Sequence, residues 1–396
     1  MAGSRSEKSR DIGIDLTRIA AFLSVVSVHF FLNSGFYNTP VLGKSMYLMS
    51  AARTFFMICV PLFLLLTGYL MVGRRTEEPD RRGYGRHCLK LLPVLASYVL
   101  CTCVILLFRS FCLRQDLSLK FYIQDILGFW QYSWYVNMYI GLYLLIPFLN
   151  LLWESVGGRS GQRVLTAVMI ALTAAPGLFN SWDFTTAGAL ARPWISDSYS
   201  RLVPDWWCSV YPVTYYFIGA YLRSNVEIKK LKTWKLLLLL AASALCFGLF
   251  NVWRSYSVKF VTGPWCAWGG FQNVINATLV FLLINSIQYP KPCQAVSKTV
   301  GLLAELTFDA YLLSWIPDTV NYQKLNEAVS DMPARFAYFP MMTGVSAGIS
   351  LVIALPVHAA VSGMKACLDR MAKREGRPGR IENVPAGEHA GERELR

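Results

Sequence analysis

Asp15-Leu16-Thr17-Arg18-Ile19-Ala20-Ala21-Phe22-Leu23-Ser24-Val25-Val26-Ser27-Val28-His29-Phe30-Phe31 is apolar enough to enter a bilayer, yet it carries an arginine and a histidine eleven positions apart. At 3.6 residues per turn, eleven residues make about three turns, so both side chains fall on one helix face, roughly 16 Å apart along the axis. Ionisable residues inside a membrane segment are costly and usually face a cavity or a partner. The spacing therefore points to a membrane helix that carries chemistry.

The whole chain supports that reading. It has 396 residues, 54% of them hydrophobic and only 16% charged, with a mean hydropathy of +0.38. These values describe an all-α integral membrane protein rather than a soluble domain. The net charge is +14, but membrane proteins gather Lys and Arg in cytoplasmic loops, so the basic balance implies a lipid bilayer as partner and no nucleic acid. The ten cysteines sit mostly in apolar segments, without a Cys-x-x-Cys pair. They read as small apolar fillers, and no metal site is expected. Arg5, Lys8 and Arg10 ahead of an apolar run resemble a signal peptide. Asp15 and Arg18 interrupt that run, and no small-x-small site follows Phe31, so the segment reads as a retained first span.

A span needs about 20 mostly apolar residues. About ten are expected, at 12–33, 51–72, 88–109, 134–153, 163–181, 207–223, 234–253, 269–287, 300–316 and 338–363. Alternate loops divide their Lys and Arg residues 26 to 11, which places both termini in the cytoplasm. Arg18 then lies towards the cytoplasmic side and His29 towards the outer side. Residues 1–370 form one membrane domain on this reading, and 371–396 a polar cytoplasmic tail expected to be disordered.

Two further stretches carry functional options. Between Gly73 and Lys90 lie six basic residues, of which Arg82, Arg86 and Lys90 share one helix face. They serve either as positive-inside decoration with lipid headgroup contacts or as a phosphate grip. The long loop 182–206 holds Trp182, Trp194, Tyr199 and Trp206 among acids. Those rings are either an interface belt or a sugar-stacking surface.

Read together, these stretches resemble the bacterial membrane acyltransferase family 3. Arg18 and His29 have the spacing of its first-span arginine, ten residues, histidine. Pro61-Leu62-Phe63-Leu64-Leu65-Leu66-Thr67-Gly68-Tyr69 is similar to its second-span run. Arg86-x3-Lys90-x2-Pro93 is similar to its basic approach to the third span. Trp134-Tyr135-Val136-Asn137-Met138-Tyr139 resembles its Trp-Phe-Leu motif, and Thr307-Phe308-Asp309-Ala310-Tyr311-Leu312-Leu313-Ser314 its late Tyr-Leu-x-His segment. Ser314 stands where many members carry histidine. The resemblance implies O-acyl transfer from an acyl-CoA, by default acetyl-CoA used as a donor substrate, to a hydroxyl of a surface or lipid-linked glycan.

On that footing His29 is the expected base, oriented by Glu305 or Asp309. Arg18, Arg82, Arg86 and Lys90 are expected to hold coenzyme A. Trp134, Trp194, Tyr311 and Ser314 are expected at the acceptor. Rival readings are a transporter or flippase, and a sensor module that keeps the fold without chemistry.

Overall fold

A computed structural model describes residues 10–73, 81–129, 131–290 and 293–375. Its described residues are mostly helical, with no strand beyond an isolated bridge between Val41 and Tyr256. In chain order the helices are α1 (Ile12–Asn33), α2 (Lys44–Phe56), α3 (Cys59–Met71), α4 (Arg81–Leu89), α5 (Leu92–Phe111), α6 (Leu119–Gly128), α7 (Trp134–Ser155) and α8 (Gly158–Thr173). They continue as α9 (Ala175–Phe179), α10 (Tyr211–Asn225), α11 (Thr233–Arg254), α12 (Phe271–Ser286), α13 (Gln294–Leu313), α14 (Trp315–Ala328) and α15 (Phe339–Glu375).

Helices lie at all ten places where the sequence predicts spans, but they are not equally long. Among the described residues six segments are long and apolar enough to cross a bilayer: Ile12–Asn38, Lys44–Met71, Gly83–Phe111, Trp134–Ser155, Thr233–Arg254 and Pro333–Cys367. A seventh arises if α13 and α14, bent by 61°, count as one span. The expected spans 163–181, 207–223 and 269–287 correspond to helices of at most 16 residues. At 1.5 Å per residue these rise only about 24 Å, short of a roughly 30 Å hydrocarbon core. The expected tail falls outside the described residues beyond residue 375.

The protein is a multi-pass membrane bundle built around α1. Asp11 caps the helix by accepting from the Gly13 amide at 3.0 Å. Beyond the first turns, apolar residues cover every side, as a helix enclosed by others requires. α2, α3, α12, α13, α14 and α15 all pack against it. Its buried hydroxyls are satisfied within the helix: Thr17, Ser24 and Ser27 donate to the carbonyls four residues earlier at 2.7–2.8 Å. Asn285 of α12 donates to Thr17 at 3.0 Å, a side-chain link of the kind that joins helices in lipid.

α10 is short because it is an inner element; nine of its fifteen residues are buried, and it crosses α3 at very close range. The crossing needs glycine on both sides. A Cβ at Gly68 would stand 2.0 Å from the Tyr216 carbonyl oxygen, and one at Gly219 would stand 2.1 Å from the Leu65 carbonyl oxygen.

The break between α13 and α14 also follows from sequence. Pro317 has no amide hydrogen, and its ring excludes the carbonyl of the residue four positions earlier, Leu313, where α13 ends. Ser314 occupies the break, with its hydroxyl donating to the Tyr311 carbonyl at 2.7 Å.

Buried Arg254 ties down the long loop after α9, donating to the carbonyls of Pro193, Ser196 (2.5 Å) and Ser198 (2.6 Å). Hydrogen bonds from Ser196, Thr185 and Thr186 hold the Asp183 carboxyl of this loop well below the usual carboxylate range.

The α3–α10 contact yields a stability prediction. Gly68→Ala should lower the melting temperature in detergent by the equivalent of about 1–3 kcal/mol, since the neighbouring backbone cannot give way. Gly141→Ala, in α7 with open space around it, should be neutral or stabilising by about 0.5–1 kcal/mol. Equal melting temperatures for the two variants would contradict the crossing.

Candidate active site

His29 lies near the far end of α1, buried, with three neighbours fixing its ring. Its Nδ1 is 3.0 Å from Oδ2 of buried Asp318 on α14. Tyr132 stacks on the imidazole with centroids 3.7 Å apart and planes at 27°. The Tyr132 hydroxyl donates to the same Asp318 oxygen at 3.1 Å. Asn33, one turn beyond His29, donates to the Tyr132 hydroxyl at 2.9 Å and to the His29 carbonyl at 2.8 Å. Ser314 Oγ stands 3.4 Å from His29 Nδ1.

A carboxylate against Nδ1 assigns the proton of the neutral imidazole to that nitrogen and leaves Nε2 as the basic one. This is a base-and-orienter arrangement, in which the acid also stabilises the imidazolium that forms once a proton is taken.

The acid in contact with the His29 ring is therefore Asp318, where Glu305 or Asp309 was expected. Both of those acids lie at another imidazole, His358 of α15. Its Nδ1 is 3.5 Å from Asp309 and its Nε2 is 3.6 Å from Glu305. Ser97 also donates to Asp309. The sequence held a signal for Asp318, since it follows Ser314 by one helical turn. The span drawn to residue 316 ended two residues short of it.

Two cavities flank α1. The larger, of about 660 Å³, has Arg18, Glu305, His358 and Lys365 among polar wall residues and Phe63, Leu66, Leu70 and Phe308 among apolar ones. The smaller, of about 330 Å³, is lined by His29, Arg53, Tyr132, Trp134 and Trp268, with Val25, Val28 and Val60 among its apolar walls. Tyr311 belongs to both walls. Its buried hydroxyl has no hydrogen-bond partner among the described residues. Arg18 and His29 thus open onto different chambers with one shared residue, consistent with their separation along the helix.

Arg18 donates to Asp15 at 3.1 Å. Asp15 also takes Arg10 at 2.5 Å, and Arg10 reaches Glu305 at 2.8 Å. This network fixes the rim of the larger chamber.

The other expected site residues divide. Trp134 lines the His29 chamber and meets Trp268 with ring centroids 5.7 Å apart. Trp194 lines neither chamber; it packs on Tyr256 at 5.4 Å in the loop that Arg254 holds. The aromatic surface beside His29 is therefore Tyr132, Trp134 and Trp268, rather than the 182–206 loop. Arg86 and Lys90 are exposed and line neither chamber, whereas Pro93 of the same motif lines the larger one. Arg82 belongs to α4, but its side chain lies outside the described residues. The inward side chain of α4 is His87, stacked on Tyr143 at 4.3 Å and hydrogen-bonded to its carbonyl at 2.8 Å.

Arg53, near the start of the expected span 51–72, is buried on α2 in the wall of the His29 chamber. Sequence periodicity carried no sign of that position.

Comparison with known proteins adds one match. A family model described as an acyltransferase domain fits residues 11–355. No curated protein and no solved structure matches the chain.

The two acid assignments separate by stability. Asp318→Ala leaves buried donors of His29 and Tyr132 without their acceptor and should destabilise the protein by about 1–3 kcal/mol. Glu305→Ala removes a side chain that is 48% exposed and should stay within about 0.5 kcal/mol. Thermal unfolding of both variants in detergent ranks them.

Proposed function

The chain belongs to the membrane acyltransferase family 3, and we propose that it moves an acyl group, acetyl by resemblance, from acyl-CoA to a hydroxyl of a surface or lipid-linked glycan. The observation that carries this reading is the buried Asp318–His29 pair in a chamber that shares Tyr311 with a second, Arg18-lined chamber. One chamber suits the donor and the other the acceptor.

The 660 Å³ chamber offers a long, largely apolar wall with cations Arg18 and Lys365, which fits a pantetheine arm trailing from a phosphorylated headgroup. With the headgroup at the Arg18 rim, on the cytoplasmic side by the loop charges, the arm runs along α1 and brings the thioester to Tyr311. Arg86 and Lys90 could meet the outlying phosphates only from the exposed surface of the α4 region.

In the smaller chamber Trp134 and Trp268 offer ring faces for an acceptor sugar. His29 Nε2 takes the acceptor hydroxyl proton as its oxygen attacks the thioester carbon. The tetrahedral intermediate collapses with cleavage of the carbon–sulfur bond, and the imidazolium returns the proton to the departing thiolate. Asp318 holds the tautomer and stabilises the imidazolium, while Tyr132 and Asn33 keep the ring in place. Ser314 is too small to duplicate a second histidine, so the reading rests on one base.

Release of free CoA from acetyl-CoA by the purified protein tests this reading. His29→Ala should lower turnover by about 10²–10⁴-fold, and Asp318→Asn should approach the same loss. Arg18→Ala should raise KM for acetyl-CoA more than it lowers kcat. Near-normal turnover in His29→Ala removes the base assignment. Flux of substrate through vesicles without turnover would favour a transporter.

A further inference from the structure

Arg53 is 5% exposed, within the segment Lys44–Met71 that is long and apolar enough to cross a bilayer. Its Nε donates to the Tyr37 hydroxyl at 2.9 Å, and its guanidinium lies 4.7 Å from the centre of the Phe260 ring and 5.8 Å from that of Tyr37. Its Nη1 has no hydrogen-bond partner among the described residues. No carboxylate among the described residues lines the chamber that Arg53 shares with His29. Asp318, the nearest acid to His29, is engaged with His29 and Tyr132.

A guanidinium out of water with ring faces, a phenol and the Cys266 thiol as neighbours is expensive to hold. The aromatic contacts return part of that cost. Arg53 lines a chamber whose other polar groups include the His29 imidazole and the hydroxyls of Tyr37 and Tyr132, a combination suited to a ligand that brings its own negative charge.

Building on the acyl-transfer reading, we propose that the His29 chamber takes an acceptor bearing a carboxylate or phosphate, which Arg53 binds while its hydroxyl is presented to His29. Arg53 is then the residue that selects the acceptor, and Trp134 and Trp268 supply the ring contact. The same donor could instead stabilise the oxyanion of the tetrahedral intermediate. That role would affect every acyl transfer, including transfer to water, whereas acceptor recognition would not.

The test measures binding of glucuronate, glucose 6-phosphate, dihexanoyl phosphatidylglycerol and glucose to the full-length protein in detergent, alongside acetyl-CoA hydrolysis. Wild-type protein should bind at least one anionic probe about tenfold or more tightly than glucose, the gap expected when a buried charge finds its counter-ion. A preference for the phospholipid points to a lipid-borne phosphate, and one for the sugar anions to a glycan acid. Arg53→Gln should remove the preference while lowering acetyl-CoA hydrolysis by far less than the roughly 10²–10³-fold expected for the loss of an oxyanion donor. Arg53→Lys, which keeps the charge in a similar volume, should retain most of the preference and guards against a folding defect in the glutamine variant.

Equal binding of all four probes by wild type overturns the proposal, as does a preference that survives Arg53→Gln. Loss of hydrolysis by 10²-fold or more in Arg53→Gln with Arg53→Lys active overturns it in favour of the oxyanion role. His29→Ala separates the two readings. Anion preference without His29-dependent turnover leaves the acceptor site standing and removes acyl transfer, and the reverse result does the opposite.

Discussion

The contact between His29 on α1 and Asp318 on α14 depends on a proline. Pro317 ends α13 at Leu313 and turns the chain through 61°, which swings Asp318 across to an imidazole 289 residues earlier. A continuous helix would carry Asp318 away along its own axis. Burial then makes the contact consequential: an unpartnered carboxylate among apolar helices would be costly, so Asp318 accepts from both His29 and Tyr132. The ring is held by a stack on one face, a carboxylate at Nδ1 and an asparagine bridge, which is the fixed orientation proton transfer requires.

Around that contact the bundle divides its polar groups by location. The Arg18 end of α1 gathers Arg10, Asp15, Glu305 and Lys365 about one chamber, with His358 and Asp309 further along its wall. The His29 end gathers Asp318, Tyr132, Asn33 and Arg53 about the other. Elsewhere buried hydroxyls and amides are spent on holding helices together, as at Asn285–Thr17 and Asn251–Gln272. Tyr311 is the residue at which the two chambers meet.

The elements of shorter reach show how membrane proteins use burial in place of length. α10 and α12 are too short to span with ease, yet they are among the most enclosed helices. Glycines on α3 and α10 let two backbones touch, and the resulting inner layer supports the walls of both chambers. A reading of hydropathy alone counts such segments with the spans, because an inner helix and a lipid-facing one are equally apolar.

Periodicity and composition by themselves determined the all-helical membrane bundle and the place of its long apolar helices. These depend on local repeats and on transfer energies that act residue by residue. The resemblance of a few ordered motifs supplied the family. Only the tertiary structure decided that Asp318, rather than Glu305 or Asp309, meets His29, and that Trp268 joins Trp134 while Trp194 stays in a remote loop. It also placed Arg53 in a chamber wall beside His29. Each of those outcomes depends on the angle at a helix break or on which face a neighbour covers. Contacts between residues hundreds of positions apart leave no period in the chain, so no reading of the sequence one segment at a time could place them.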